Sequence, residues 1–452
     1  METIKERITK AKSFRKTTSR KELGQWDVQT GRSVIEELIC GQEKTRQQEL
    51  IPIRRERMSA SPFSFFRGSA VIQAHDISST PGTPFRVQAC GDAHISNFGI
   101  FASPERRLIF DINDFDETHS APFEIDVKRL FASIEICGRQ KGYSKEQRAS
   151  TVYDAATLYK NSMSAFSGKG NMEVWYEHLD LRDLLEKTAH SLTKSQKDRI
   201  ENTFEKAFSK TSESAFRKYT ETVDGKIRIK SDPPLIVPIR DLPIADKERY
   251  DFQYSIRNAL SRYKKTLPAE RRNLIDQYEP LEVAHKVVGV GSVGRKAWIL
   301  ILLGREDGDP LILQIKEAER SVLEAYYGLS TYRNYGQRVV KGQRAIQNCG
   351  DILLGWLRLK SSAGSNTDYY VRQLWDGKGS IDIESISSEG YHALSLMCAW
   401  TLAHAHAKTG DRHSIAGYLG KSDAFAEAMV KYAHLYADQN EADYNAFLKL
   451  RS

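Results

Sequence analysis

The sequence predicts an α+β chain with a small antiparallel sheet lobe and a large helical lobe. Three observations predict it. Apolar strand-like runs crowd into 284–375, helical patterning fills 127–230 and returns from 391 to the end, and four of the thirteen prolines mark the passage between the two textures. The expected division is a helical lobe over 1–240, a sheet lobe over 241–376, and helices over 377–452 that return to the large lobe.

The elements follow in chain order. Residues 1–22 hold eight basic and three acidic side chains, a basic arm expected to lie in solvent or to make weak contact with phosphates or acidic lipid. The runs Arg86 to Cys90, Phe98 to Phe101 and Leu108 to Asp111 read as strands between polar turns. Helices follow across 127–230. Pro233, Pro234, Pro238 and Pro243 then exclude both a helix and a central strand, so that segment is an extended connector. Phe252, Ile256, Leu260 and Tyr263 recur at helical spacing. Strands are expected at 284–289, 296–303, 311–316, 352–359 and 369–375, with one helix near 335–348 between the third and fourth. In the last helix Phe425, Met429, Tyr432 and Tyr436 form a 3–4 stripe that reads as core.

Composition excludes several classes. Of the 452 residues 67 are Lys or Arg and 59 are Asp or Glu, a net charge of +8, most of it in the first 22 positions. The body is therefore close to neutral and unsuited to coating nucleic acid. The longest apolar run, Ala297 to Leu303, is far shorter than the ~20 residues of a membrane span. Cys40, Cys90, Cys137, Cys349 and Cys398 are odd in number and scattered, which argues against a disulfide scaffold and a structural zinc site. A cytoplasmic protein is the expectation.

The chemistry concentrates at 91–126. Gly91-Asp92-Ala93-His94-Ile95-Ser96-Asn97 sets an Asp and an Asn five positions apart, and Asp111, Asp114 and Asp116 follow the next strand. That spacing suits phosphoryl transfer. Asp92 is the candidate base for an acceptor hydroxyl, while Asn97 and Asp114, with Asp111 beside them, are hard oxygen ligands for Mg²⁺. His94 reads as a loop-ordering partner, and Asp126 as a cap for a helix beginning near Val127. The similar Gly410-Asp411-Arg412-His413 has Ala416 where the Asn is needed and reads as a helix end and turn. His404 and His406, two apart on a helix, face different ways and make a poor metal pair.

A second candidate segment, Gly289-Val290-Gly291-Ser292-Val293-Gly294, satisfies G-x-G-x-x-G. A dinucleotide-binding unit requires a helix next, whereas the β-branched run 297–303 follows. A strand–turn–strand flap over phosphates is the better reading. Lys316 ends the following strand in Leu313-Gln314-Ile315-Lys316 and resembles the kinase V-A-I-K lysine, a resemblance that implies a clamp on the α- and β-phosphates. Gln373 and Leu374 fall at the end of the last strand.

These residues resemble the kinase-like phosphotransferases, above all the aminoglycoside and choline kinase branch. Cys90 to Asn97 matches their H-G-D-x-H-x-x-N loop with Cys90 in place of the leading His, Asp114-Phe115-Asp116 matches the I-D-F-x-D strand end, and Asp126-Val127-Lys128-Arg129 matches the Asp-Leu-Ala-Arg helix start. The resemblance implies a two-lobed protein-kinase-like fold that binds ATP and Mg²⁺. Asp92, Asn97 and Asp114 would be its catalytic set, with Asp116 and Asp126 in support, and Gln373 and Leu374 its adenine-contacting hinge. The glycine flap here follows the catalytic loop instead of preceding it, so the fold is expected to be circularly permuted. The helix near 335–348 carries no acid to pair with Lys316, and Glu324 lies before it. Which helix underlies the catalytic loop, 63–76 or 391–408, stays open.

The chain as a whole also resembles a bacterial domain-of-unknown-function family (twenty-two fifty-two). That resemblance includes Ser61-Pro62-Phe63 to Arg67-Gly68 and Arg338-Val339-Val340. The leading expectation is an ATP- and Mg²⁺-dependent phosphotransferase with a small-molecule acceptor. Nucleotidyl transfer to a protein and a nucleotide-binding pseudokinase are the alternatives.

Overall fold

The computed structural model describes residues 2–28, 32, 35–188, 193–242, 256, 258–287, 293–304, 309–360, 366–379 and 381–450. Early in the chain β1 (Arg86–Ala89) pairs with β4 (His119–Pro122), and β2 (Phe98–Ala102) pairs with β3 (Leu108–Ile112), which also takes β5 (Leu179–Asp180). The strand β4 and a small hairpin of β6 (Thr220–Val223) and β7 (Lys226–Ile229) are additions to the sequence reading.

The later strands form one antiparallel sheet of six. They are β8 (Ile236–Pro238), β9 (Glu279–Lys286), β10 (Ala297–Leu303), β11 (Pro310–Ala318), β12 (Gly355–Lys360) and β13 (Asn366–Gln373), in the spatial order β12-β13-β11-β10-β9-β8. The proline segment is extended as expected, and it joins the sheet at its edge. There the missing amide hydrogen of Pro238 leaves no ladder bond unmade between neighbours.

Alternation along β11 decides what each face of the sheet does. Leu311, Leu313 and Ile315 point to one side and pack with Leu260, Tyr263 and Ile275. Ile312, with Ala284 and Ile299 of neighbouring strands, packs on Ala215 and Tyr219 of the helix Ser212–Tyr219. Lys316 and Gln314 share the parity of Ile312 and so face the second side.

The helical part is organised around Glu124–Gln140, whose residues 124–138 are all buried. Against it or beside it lie Lys145–Ser167, opened by a Ser144/Gln147 capping box, then Ser388–Thr409, and Ala424–Lys449. Phe425, Met429, Tyr432 and Tyr436 are all buried in this core. Among the described residues no helix is long and apolar enough to cross a membrane. All five cysteines are free.

The basic N-terminal segment is not a free arm. Thr3 and Glu6 form a capping box for the helix Ile4–Ser13, which packs on Arg412–Leu419. Arg7 pairs with Asp411 at 3.1 Å, Arg15 donates to the Tyr418 carbonyl and Arg20 to that of Leu419. Several of its charges are thus already engaged within the chain, because the polar turn at 410–420 offers carbonyls and an acid.

His404 and His406 do face apart. His404 Nε2 lies 2.7 Å from the Val174 carbonyl, and its ring stacks on Trp400. Burial lowers its pKa to about 4. The neutral ring is therefore favoured in the fold, and its stabilising contribution is complete above the ordinary histidine value and lost as pH falls towards 4. Between pH 7 and 5 the chain is expected to lose ~2 kcal/mol through this residue. Urea unfolding at both pH values should show that step in the wild type, and a smaller one in His404→Gln.

Candidate functional site

The acidic loop begins where β1 ends, and Gly91 makes the turn. Its φ of +84° is a left-handed conformation, and a Cβ there would stand 2.2 Å from the Glu117 carbonyl oxygen. Asp126 holds the turn by accepting the amides of Cys90 at 2.8 Å and Gly91 at 2.9 Å. The helix starts at Glu124, so Asp126 sits inside its first turn and is not its cap. His406 Nε2 lies 3.3 Å from the same carboxylate and its Nδ1 2.7 Å from the Tyr159 hydroxyl.

The helix that underlies the loop is thus 124–140, neither of the two weighed from sequence. It supplies Asp126, Ser133 for the Ile95 amide, and Arg129. Residues 62–78 and 388–409 brace it from either side, through Phe66 and Gln73 on Arg129 and through His406 on Asp126.

Arg129, quoted in the helix-start match but given no role there, is a residue of the site. Its Nε donates to Asp92 Oδ1 at 2.7 Å, and its guanidinium carbon lies 3.7 Å from the centre of the Phe66 ring. Asp92 Oδ2 makes no hydrogen bond among the described residues, and His94 Nε2 stands 3.8 Å from it. Burial raises the Asp92 pKa to about 6, against the opposing pull of Arg129. One carboxylate oxygen is anchored and the other, on a side chain 19% exposed, is left open.

His94 orders the loop through its backbone: its amide donates to the Asp92 carbonyl and its carbonyl accepts from the Asn97 amide. The ring Nδ1 has no hydrogen-bond partner among the described residues, and burial keeps its pKa well below the ordinary value. Asn97 Nδ2 donates to the Asp92 carbonyl at 2.7 Å, which leaves the amide oxygen as its free end. Asp114 Oδ1 accepts the Asp116 amide at 3.2 Å.

Asp111 goes elsewhere. Its carboxylate accepts the amides of Ile112 and Asn348, and Lys408 is the largest cationic influence on it. The expected grouping of Asp111 with Asn97 and Asp114 is not formed, because strand β3 turns it away from the loop. Burial raises its pKa to about 6.

Lys316 and the acidic loop meet across the two parts of the molecule. Lys316 Nζ is 3.0 Å from Asp116 Oδ2, while Tyr370 donates its hydroxyl to Asp116 Oδ1 at 2.7 Å. Arg295, directly after the glycine-rich run, reaches Asp116 at 3.3 Å, Glu117 at 3.0 Å and Glu319 at 3.1 Å. Burial alone would raise the Asp116 pKa; Lys316 and Arg295 hold it far below the usual carboxylate range. Lys316, which burial would lower, is raised by Asp116.

The lysine partner is therefore an acid of the loop and not of a helix. Helix Tyr335–Ile346 instead sends Arg338 to the carbonyls of Asp116, Thr118 and Glu319. Glu324 accepts the amides of Ser321 and Ser330 and pairs with Arg320.

Gly289, Gly291 and Ser292 lie outside the described residues. Gly294 has φ +88° and accepts the Gln47 amide at 2.8 Å, so this end of the run is docked on residues 46–47. Gln373 is tied to Asp351 through both its amide and its side chain, and the Leu374 amide donates to the Ile312 carbonyl. Both line a cleft of ≈ 500 Å³ together with Asn113, Arg372 and Lys378. Among the described residues no three His, Cys, Asp or Glu side chains converge as a metal cage.

No curated protein and no solved structure matches the chain. Residues 46–450 do match one family, DUF2252, described as an uncharacterized protein conserved in bacteria. That match takes in the acidic loop, Arg129, Lys316 and the whole six-stranded sheet. The chain belongs to that family.

Proposed function

We propose that the chain is an ATP- and Mg²⁺-dependent phosphotransferase of circularly permuted kinase-like design, acting on a small-molecule acceptor. The observation that carries this reading is the divided role of Asp92: Oδ1 is fixed by Arg129 and Oδ2 is left open. A base has to be held and yet present a free oxygen, and a pKa near 6 suits proton transfer around neutral pH. Asp92 would take the acceptor hydroxyl proton as the acceptor oxygen bonds to the γ-phosphorus, the β–γ bridging bond breaks and ADP leaves.

Asn97 and Asp114 offer one amide and one carboxylate oxygen. Two protein oxygens suit Mg²⁺ when phosphates and water complete its shell, and the ion would neutralise charge on those phosphates. Lys316 lies opposite, on the sheet, near enough to reach phosphates held between it and the loop. Its charge is balanced by Asp116, so nucleotide phosphates must compete for it. This contact also favours the second reading, a nucleotide-binding pseudokinase, since Lys316 already has a partner.

Mg²⁺-dependent ATP binding is expected to be lost in Asp114→Ala and weakened in Lys316→Met. Calorimetry with and without Mg²⁺ checks this; equal, metal-independent affinity in wild type and both variants would move the site elsewhere. ATP labelled in turn at the γ- and α-phosphate, given with acceptor mixtures, separates the reactions. Label transferred from the γ position supports the phosphotransferase, from the α position nucleotidyl transfer, and from neither a sensor.

A further inference from the structure

The cleft beside Asn113 has an unusual balance of charge. Two acids line it, and both are engaged. Asp351 accepts from the Gln373 amide and side chain and from the Leu353 amide. Asp376 pairs with Arg106 and accepts from Gln373 Nε2. The two cations of the same wall are in the opposite condition. Arg372 donates Nε to the neutral Gln314 oxygen at 3.1 Å, and among the described residues neither Arg372 nor Lys378 has a carboxylate within ion-pair distance.

The pair is also mutually unfavourable. Repulsion from Arg372, then burial, with further repulsion from Lys316 and Lys210, brings Lys378 down to about 7 against the attraction of Asp114. Arg372 itself is held cationic, because Tyr370 and the carboxylates of Asp114, Asp116 and Asp351 outweigh its burial. None of them pairs with it directly, and an anion in the cleft would relieve the repulsion between the two cations. A planar guanidinium beside a compact ammonium is also a complementary set for phosphate, one bidentate and one a point charge.

We propose that Arg372 and Lys378 form a seat for a phosphate group, separate from the Lys316–Asp116 pair. It rests on the phosphotransferase reading only in expecting phosphate-bearing ligands at this cleft. That phosphate belongs either to the nucleotide, whose tail would then reach beyond Lys316, or to a phosphorylated acceptor.

The probe is inorganic pyrophosphate, titrated calorimetrically into the full chain without nucleotide. Arg372→Met and Lys378→Met are each expected to weaken its binding about 10–100-fold, the worth of one charged hydrogen bond. Lys378→Arg should retain binding, and the exposed Lys431→Met should match the wild type. Melting curves identify any variant that fails to fold, and Lys378→Arg against Lys378→Met then carries the comparison.

Competition between pyrophosphate and ATP would assign the seat to the nucleotide's phosphates, and simultaneous binding to the acceptor's. Absence of pyrophosphate binding by the wild type at millimolar concentration, or equal binding by the folded Met variants, would overturn the seat. Pyrophosphate binding lost in the Met variants of a protein that transfers no label would keep the seat and remove the phosphotransferase.

Discussion

Asp92→Asn is expected to lower turnover about 10²–10⁴-fold, the usual worth of a positioned general base. The substitution keeps the side chain's size and an oxygen for Arg129 Nε, so the loop should stay in place. Asp92 is not among the groups assigned to nucleotide or metal, and ATP affinity should therefore change little. Losing a charged acceptor for the buried Arg129 costs about 1–2 kcal/mol, small enough to measure beside the kinetics. The experiment is ATP turnover, ATP titration and melting temperature on the same two proteins. Equal turnover by the two folded proteins would remove Asp92 from the chemistry. Activity that merely follows the folded fraction would make it a structural acid.

Asp126→Ala should have the largest effect on stability. It would leave the Cys90 and Gly91 amides and one face of His406 without their acceptor, in a region closed to water. Two orphaned buried donors cost about 2–6 kcal/mol, whereas loss of an ordinary helix cap costs only ~1 kcal/mol. Urea unfolding thus distinguishes the two roles by magnitude. Asp126→Asn retains one acceptor oxygen and should fall between the wild type and Asp126→Ala. A loss near 1 kcal/mol in Asp126→Ala would mean that the loop amides find other partners.

What local pattern determined was the frame. The unbroken apolar run of β10 and the alternation in β11 specify strands whatever surrounds them. The stripe from Phe425 to Tyr436 likewise specifies a buried helical face. The Asp92-to-Asn97 spacing marked the loop because one short turn places both residues. Only the tertiary structure decided how these pieces pair. Lys316 meets Asp116, 200 positions away, instead of a helix glutamate, and Arg129, Arg295 and Arg338 close around the same loop from three separate elements. Asp111 shows the converse: it lies three residues from Asp114, yet strand direction carries it to another environment. The N-terminal charges, which read as a free arm, find acceptors at the 410–420 turn. Periodicity reports which side of an element is buried, and it does so within a few residues. Ion pairing depends on which elements the packed core brings together, and that is settled over the whole chain.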